Sequence, residues 1–122
     1  MAGTPQHYTF SEAPFEQVIA HDGNGHIASA RVVAGEGDDG ARWIDLVVVP
    51  PGCTIGEHTH GADQETYVII DGWATMVVDG TELEVGPGDV VVNRAGGTHA
   101  LRNDGSGAVR MVVLDVAADQ AH

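Results

Sequence analysis

Two histidines separated by one residue are the feature of this sequence best suited to chemistry. His58 and His60 lie in the stretch GEHTHGADQETYVIIDG, residues 56–72, and Glu65 follows five residues after the second histidine. Side chains two apart on a β-strand point to the same face, so the two imidazoles project together. We expect a turn at 61–64, followed by hairpin pairing that returns Glu65 to the side of the histidines. The spacing therefore predicts a chelating group.

A third imidazole can come from His99, which opens the strand predicted after the turn RAGG at 94–97. Three imidazoles and one carboxylate suit a divalent transition ion such as iron, manganese, nickel, copper or zinc. They also leave positions for water or substrate on a six-coordinate ion. Paired histidines alone would favour an exposed polar strand face. The remaining histidines are interpreted in that way, as exposed polar residues: His7, His21, His26 and His122.

The composition excludes several other kinds of chemistry. Five Arg, no Lys and 18 Asp plus Glu give a net charge of −13, which opposes binding to nucleic acid or to an anionic membrane surface. The absence of lysine also removes Schiff-base chemistry and the lysine of a phosphate-binding P-loop. Cys53 is the single cysteine, so it forms neither an internal disulfide nor a thiolate cluster. A metal site must therefore use histidine and carboxylate.

The elements that would position these residues are short β-strands. From about residue 25 the chain alternates β-type segments with glycine-rich turns, and no segment of helical length keeps a 3.6-residue apolar period. The pair Asp79-Gly80 is typical of a type I′ hairpin turn. Short strands at this spacing predict an all-β sandwich or barrel. Nine strands are predicted, at 26–34, 42–49, 54–60, 65–71, 73–78, 81–85, 89–93, 98–103 and 108–116.

The 122 residues are the length of one ordinary domain. We predict an extended or irregular N-terminal arm at 1–24, the barrel at 25–118 and a frayed C-terminus at 119–122. No apolar run approaches the roughly 20 residues needed to cross a membrane. The start MAGTPQHYTF lacks the basic and apolar regions of a secretory signal, so we expect a cytoplasmic protein.

With its two histidine segments, the sequence resembles the cupin family between Gly52 and Asn103. The first cupin motif, GxxxxxHxHxxxxExxxxxxG, is met at every fixed position, and the second, GxxxxxPxGxxHxxxN, at all but one. The exception is Arg94, which stands where the family usually has proline; we interpret it as an exposed turn residue, with steering of an anionic ligand as the alternative. The matching positions are Gly52, His58, His60, Glu65 and Gly72 in the first motif and Gly88, Gly96, His99 and Asn103 in the second.

This resemblance implies a small β-barrel of the jelly-roll type, with a divalent metal held inside one end by His58, His60, Glu65 and His99. It also implies a small organic substrate in the barrel. Cupin dioxygenases activate dioxygen on the metal, whereas cupin isomerases, cyclases and lyases use it as a Lewis acid.

The alternative is a non-catalytic ligand-binding or sensory barrel. Regulatory cupins usually carry a DNA-binding segment, and neither end of this chain has room for one, which favours an enzyme. Cupins commonly protect their strand edges by pairing barrels, so we expect a homodimer.

Tyr67 is the candidate catalytic residue outside the ligand set. Period-two alternation places Tyr67 and Ile69 on the same face of the strand as Glu65, with Tyr67 about 7 Å further along. That distance is too long for a ligand of the same ion, but it suits a hydroxyl that orients substrate or exchanges a proton. A packing role for this tyrosine is an equally weighted alternative.

Overall fold

The computed structural model describes residues 6–34 and 41–117, which contain ten β-strands and two short 3-10 helices, Phe10–Glu12 and Ala20–Asp22. No helix in these two ranges is long and apolar enough to cross a membrane. The strands are β1 (Glu16–Val18), β2 (Ile27–Ala34), β3 (Ala41–Val49), β4 (Thr54–Thr59), β5 (Asp63–Asp71), β6 (Ala74–Val78), β7 (Thr81–Val85), β8 (Val90–Asn93), β9 (Thr98–Arg102) and β10 (Val109–Ala117).

The strands form two antiparallel sheets. One has six strands in the order β1-β2-β3-β10-β5-β8, and the other has four in the order β4-β9-β6-β7. Strand β5 shows why the sheets pack together, because every second side chain from Asp63 to Ile69 is buried. Each large apolar side chain buried in this way contributes about 1.5–3 kcal/mol. The largest core side chains from the two sheets are Tyr67, Ile69, Met76, Leu101 and Met111.

The predicted all-β, jelly-roll class is confirmed, and the nine predicted strands are present within a few residues of their predicted ends. Strand β1 was not predicted. It lies in the predicted arm and pairs with β2, with Glu16 opposite Ser29 and Val18 opposite Ile27. Three exposed residues, two of them polar, are too few to show an alternating pattern. The predicted frayed end at 119–122 lies outside the described residues.

The predicted hairpin between the strands that carry His58 and Glu65 is wrong. Strand β4 pairs with β9 in the four-stranded sheet, whereas β5 pairs with β8 and β10 in the six-stranded sheet. The short connection between them, residues 60–62, passes from one sheet to the other. Glu65 consequently approaches the histidines from the opposite sheet.

The predicted type I′ turn between β6 and β7 is confirmed. Asp79 and Gly80 both have positive φ, at 49° and 84°, between the paired residues Val78 and Thr81. The Asp79 backbone N–H donates to the Thr98 carbonyl at 2.8 Å, and the Asp79 carboxylate accepts from the Thr98 N–H at 2.9 Å. The hairpin therefore holds the start of β9, one residue before His99.

Asn103, the last position of the second cupin motif, has a structural role in this fold. Its fully buried side chain donates to the carbonyls of Val49 and Gly107 at 2.9 and 2.8 Å and accepts from the Gly105 N–H at 3.0 Å. These bonds join the loop after β9 to the end of β3.

Candidate metal centre

The four side chains predicted as metal ligands lie together inside one end of the barrel. His58 on β4 and His99 on β9 are directly opposite each other in the four-stranded sheet. Glu65 faces them from β5, and His60 follows the end of β4. One ligand atom from each of the four residues lies within 4.8 Å of all the others. This group matches the donor set that the sequence predicts.

His60 is outside the strand but is fixed by backbone hydrogen bonds to the turn that precedes His99. Its N–H donates to the Gly97 carbonyl at 3.3 Å, and its carbonyl accepts from the Gly96 N–H at 2.7 Å. Gly96 has φ 79°, in the left-handed region that glycine adopts readily. The glycine of the second motif thus helps to position a histidine of the first.

The three imidazoles converge on one oxygen of Glu65. The distances from Glu65 Oε1 to Nε2 of His99, His60 and His58 are 3.1, 3.2 and 3.7 Å. Metal bonds to these donors are about 2.0–2.2 Å long, so two ligands of one ion at tetrahedral or right angles lie about 3.0–3.5 Å apart. The observed distances are close to that spacing.

Hydrogen bonds at Nδ1 orient two of the rings. His58 Nδ1–H donates to the Gly56 carbonyl at 2.8 Å, and His60 Nδ1–H donates to Asp63 Oδ2 at 2.7 Å. Each bond fixes the tautomer whose Nε2 lone pair is available to a metal. Among the described residues, His58 Nε2 is buried without a hydrogen-bond partner. A buried acceptor in that state is suited to coordinating an ion.

The electrostatics of the group keep its carboxylate ionised. Burial by itself raises the pKa of Glu65, but the interactions with the imidazoles of His58 and His99 outweigh burial and hold the pKa well below its ordinary range. Burial by itself lowers the pKa of His58, but the Glu65 carboxylate and the Gly56 carbonyl outweigh it and raise the pKa. Glu65 is therefore available as an anionic ligand at neutral pH.

Tyr67 lies next to this group, on the buried side of β5 as predicted. Its side chain is 2% exposed, and its ring meets that of His99 edge-on, with 5.5 Å between the ring centroids. Burial, followed by the negative charge of Glu65, raises the pKa of Tyr67 well above its ordinary value. Tyr67 thus keeps its proton at neutral pH, and its catalytic role stays a prediction.

A cavity of about 110 Å³ lies beside Glu65 and Tyr67. Pockets for drug-sized ligands are roughly 300–1,000 Å³, so this one suits a ligand with only a few non-hydrogen atoms. Side chains of the six-stranded sheet form much of its wall, and the segment before β2 and Ile55 of β4 contribute the rest. Residues on these walls include Val18, Ala20, His21, Ser29, Asp45 and Val113.

His21 is the residue at this site that sequence reasoning missed. Its ring stacks on that of His58, with 3.5 Å between the centroids and 8° between the planes. Burial, and then the charge of His58, lower the pKa of His21. His7, His21, His26 and Arg94 are exposed, as predicted. For His21, however, the prediction omitted its contact with His58. His122 lies outside the described residues. No motif position marks His21, because the stack depends on how the arm packs against β4.

A family model described as a cupin domain matches residues 45–116, which is more than half of the chain and includes both motifs. The protein belongs to the cupin family. This confirms the resemblance carried by the two motifs. An oxalate-binding protein of Thermotoga maritima is 28% identical to this cupin over 85 residues, which cover 69% of this chain and 70% of the relative.

Two solved structures show the same fold. One, from Thermotoga maritima, is described as a predicted oxalate decarboxylase; it has a TM-score of 0.86 and 24% identity, and the match covers 92% of this cupin and 99% of that chain. The other is a cupin 2 conserved barrel domain protein from Salinispora arenicola. It has a TM-score of 0.72 and 20% identity, and the match covers 98% of this cupin and 96% of that chain. The barrel architecture is thus shared across most of the chain.

Proposed function

We propose that this cupin binds one divalent transition-metal ion through His58, His60, Glu65 and His99. The observation that carries the proposal is the convergence of three Nε2 atoms on one oxygen of Glu65 at 3.1–3.7 Å, with His58 Nε2 buried and without a hydrogen-bond partner among the described residues. Imidazole and carboxylate donors accept iron, manganese, nickel, copper or zinc, and the set leaves the choice among these metals open.

We propose further that a small carboxylate binds at the open positions of this centre. Three neutral imidazoles and one carboxylate leave a divalent ion with a net positive charge, which attracts an anion. The adjoining cavity of about 110 Å³ suits a ligand of a few non-hydrogen atoms. The oxalate-binding relative supports the same ligand class.

We propose that the protein is an enzyme that converts this small acid. A bound divalent ion supplies Lewis-acid polarisation or activation of dioxygen, which are the chemistries of cupin lyases and isomerases and of cupin dioxygenases. Asp63 holds the ring of His60 in place, and Tyr67 keeps a protonated hydroxyl beside Glu65. The alternative is a cupin that binds the acid without turnover, which the name of the oxalate-binding relative favours.

The proposed ligand class is tested by calorimetric titration of oxalate into manganese-loaded and metal-free protein. We expect saturable binding to the loaded protein and almost none to the metal-free protein, because the ion provides the positive charge. Acetate, which cannot chelate with two carboxylates, is the control and is expected to bind more weakly. Equal binding with and without the metal would contradict the proposal. Incubation of the loaded protein with oxalate for hours distinguishes the two alternatives. Release of formate or carbon dioxide would indicate an enzyme, and no release would indicate a binding protein.

We also propose that the protein is a homodimer in solution. Strand β8 is an edge of the six-stranded sheet, and its outward side chains Val90 and Val92 are 58% and 40% exposed, beside Ile70 of β5 at 48%. A second copy of the same edge would cover these apolar side chains. Light scattering of the unmodified protein is expected to give the mass of two chains. The Val90→Arg variant is expected to have the mass of one chain. A monomer for the unmodified protein at micromolar concentration would contradict this prediction.

A further inference from the structure

The segment Ala20–Asp22 is packed unusually closely onto β4. Gly56 is the residue of β4 beneath it, and a Cβ at that position would collide with the His21 carbonyl oxygen. Gly23 has the same restriction on the other side, where a Cβ would collide with the backbone of Thr54 and Gly56. Two glycines thus allow a contact between the chain segments that side chains would prevent.

The backbone of this segment is strained at His21 itself. His21 has φ 52° and ψ 45°, and Asp22 has φ 57°, so two consecutive non-glycine residues are in the left-handed region. Such conformations persist only where the surrounding structure holds them, and they concentrate at functional sites. Here the strained backbone brings the His21 ring over His58.

The His21 ring is placed to meet a bound molecule. It lines the cavity together with Glu65 and Tyr67. Within residues 6–34 and 41–117, its ring nitrogens make no hydrogen bond. It does not belong to the group of four residues whose ligand atoms lie within 4.8 Å of one another. Among the described residues, His21 therefore has a ring donor without a protein partner beside the candidate metal centre, and it is not one of the four ligands.

We propose that His21 is a substrate-binding residue whose ring N–H donates a hydrogen bond to the small carboxylate in the cavity. The inference rests on the proposed metal and carboxylate binding and deepens it, because it gives the arm a part in recognising the ligand. The stack on His58 and the close packing at Gly56 then serve to hold the donor at the cavity.

The test uses the manganese-loaded protein and oxalate, with metal content and oxalate affinity measured separately. His21→Phe keeps an aromatic ring on His58 but removes the donor. We expect its metal content to equal that of the unmodified protein and its affinity for oxalate to fall at least about tenfold, the effect of losing a hydrogen bond to a charged group. His26→Phe, at an exposed histidine outside the site, is the matched control and is expected to change neither quantity.

A second pair of variants tests the placement of the segment without altering His21. Gly56→Ala, which displaces the His21 backbone, is expected to lower oxalate affinity, whereas Gly61→Ala, where a Cβ meets open space, is not. Unchanged oxalate affinity in His21→Phe would overturn the inference, as would loss of metal from that variant, because either result would assign His21 a different role. Failure of the underlying proposal would be visible in the unmodified protein, as metal-loaded protein that binds no oxalate.

Discussion

Glu65→Ala is expected to lose the metal ion and, with it, all metal-dependent binding or turnover. Glu65 Oε1 is the point on which the three Nε2 atoms converge, and Glu65 is the single carboxylate in the four-residue ligand group. Without it, a divalent ion would sit among neutral imidazoles in a buried site with no anionic ligand among the remaining three. Substitutions that only disturb a ligand's orientation lower metal affinity about 10- to 100-fold, so removal of a ligand is expected to cost at least about a hundredfold.

The measurement is elemental analysis after mild purification, together with competition against a chelator of known affinity. Glu84→Ala is the matched control, because Glu84 is exposed on β7 and is expected to leave metal content unchanged. Glu65→Gln separates charge from shape, and we expect it to bind metal more weakly than the unmodified protein. Full metal content in Glu65→Ala would show that the ion, if present, is held elsewhere.

Tyr67→Phe is expected to lower turnover while leaving metal content unchanged. The four ligands remain in this variant, so metal content is expected to stay near that of the unmodified protein, and loss of one hydroxyl changes thermal stability little. Tyr67 borders the cavity beside Glu65 and keeps its proton at neutral pH. If its hydroxyl acts as a general acid or orients the substrate, turnover of the small acid is expected to fall about a hundredfold.

Tyr8→Phe, at a tyrosine that is 42% exposed, is the control for the substitution itself. Turnover equal to that of the unmodified protein in Tyr67→Phe would return Tyr67 to a packing role. Loss of metal from Tyr67→Phe would instead show that the hydroxyl acts through Glu65, and would also contradict the proposed catalytic role.

The clustering of the four predicted ligands could be predicted from the sequence, because two motifs with fixed spacing carry them. His58 and His60 share a segment, and the two motifs fix where Glu65 and His99 stand relative to them. The connection from β4 to β5 could not be predicted correctly, because turn residues show that the chain bends but not which sheet receives the next strand. The same carboxylate reaches the histidines by either route.

His21 and β1 could not be predicted for a different reason. β1 is only three residues long, and its pairing with β2 is specified by tertiary packing rather than by its own sequence pattern. The His21 stack depends on a close approach that Gly23 and Gly56 permit from two separate segments. A glycine in a sequence indicates that another backbone segment can approach closely, but it does not identify that segment.

The most direct test of the central claim is the metal content of the unmodified protein and of a His58→Ala/His60→Ala double variant, both purified without chelators. We predict about one divalent transition-metal ion per chain in the unmodified protein and almost none in the double variant, as expected when two of four ligands are removed. A His7→Ala/His26→Ala variant, which changes two exposed histidines outside the site, is predicted to keep the full content. Equal metal content in the double variant and the unmodified protein would contradict the assignment of the site.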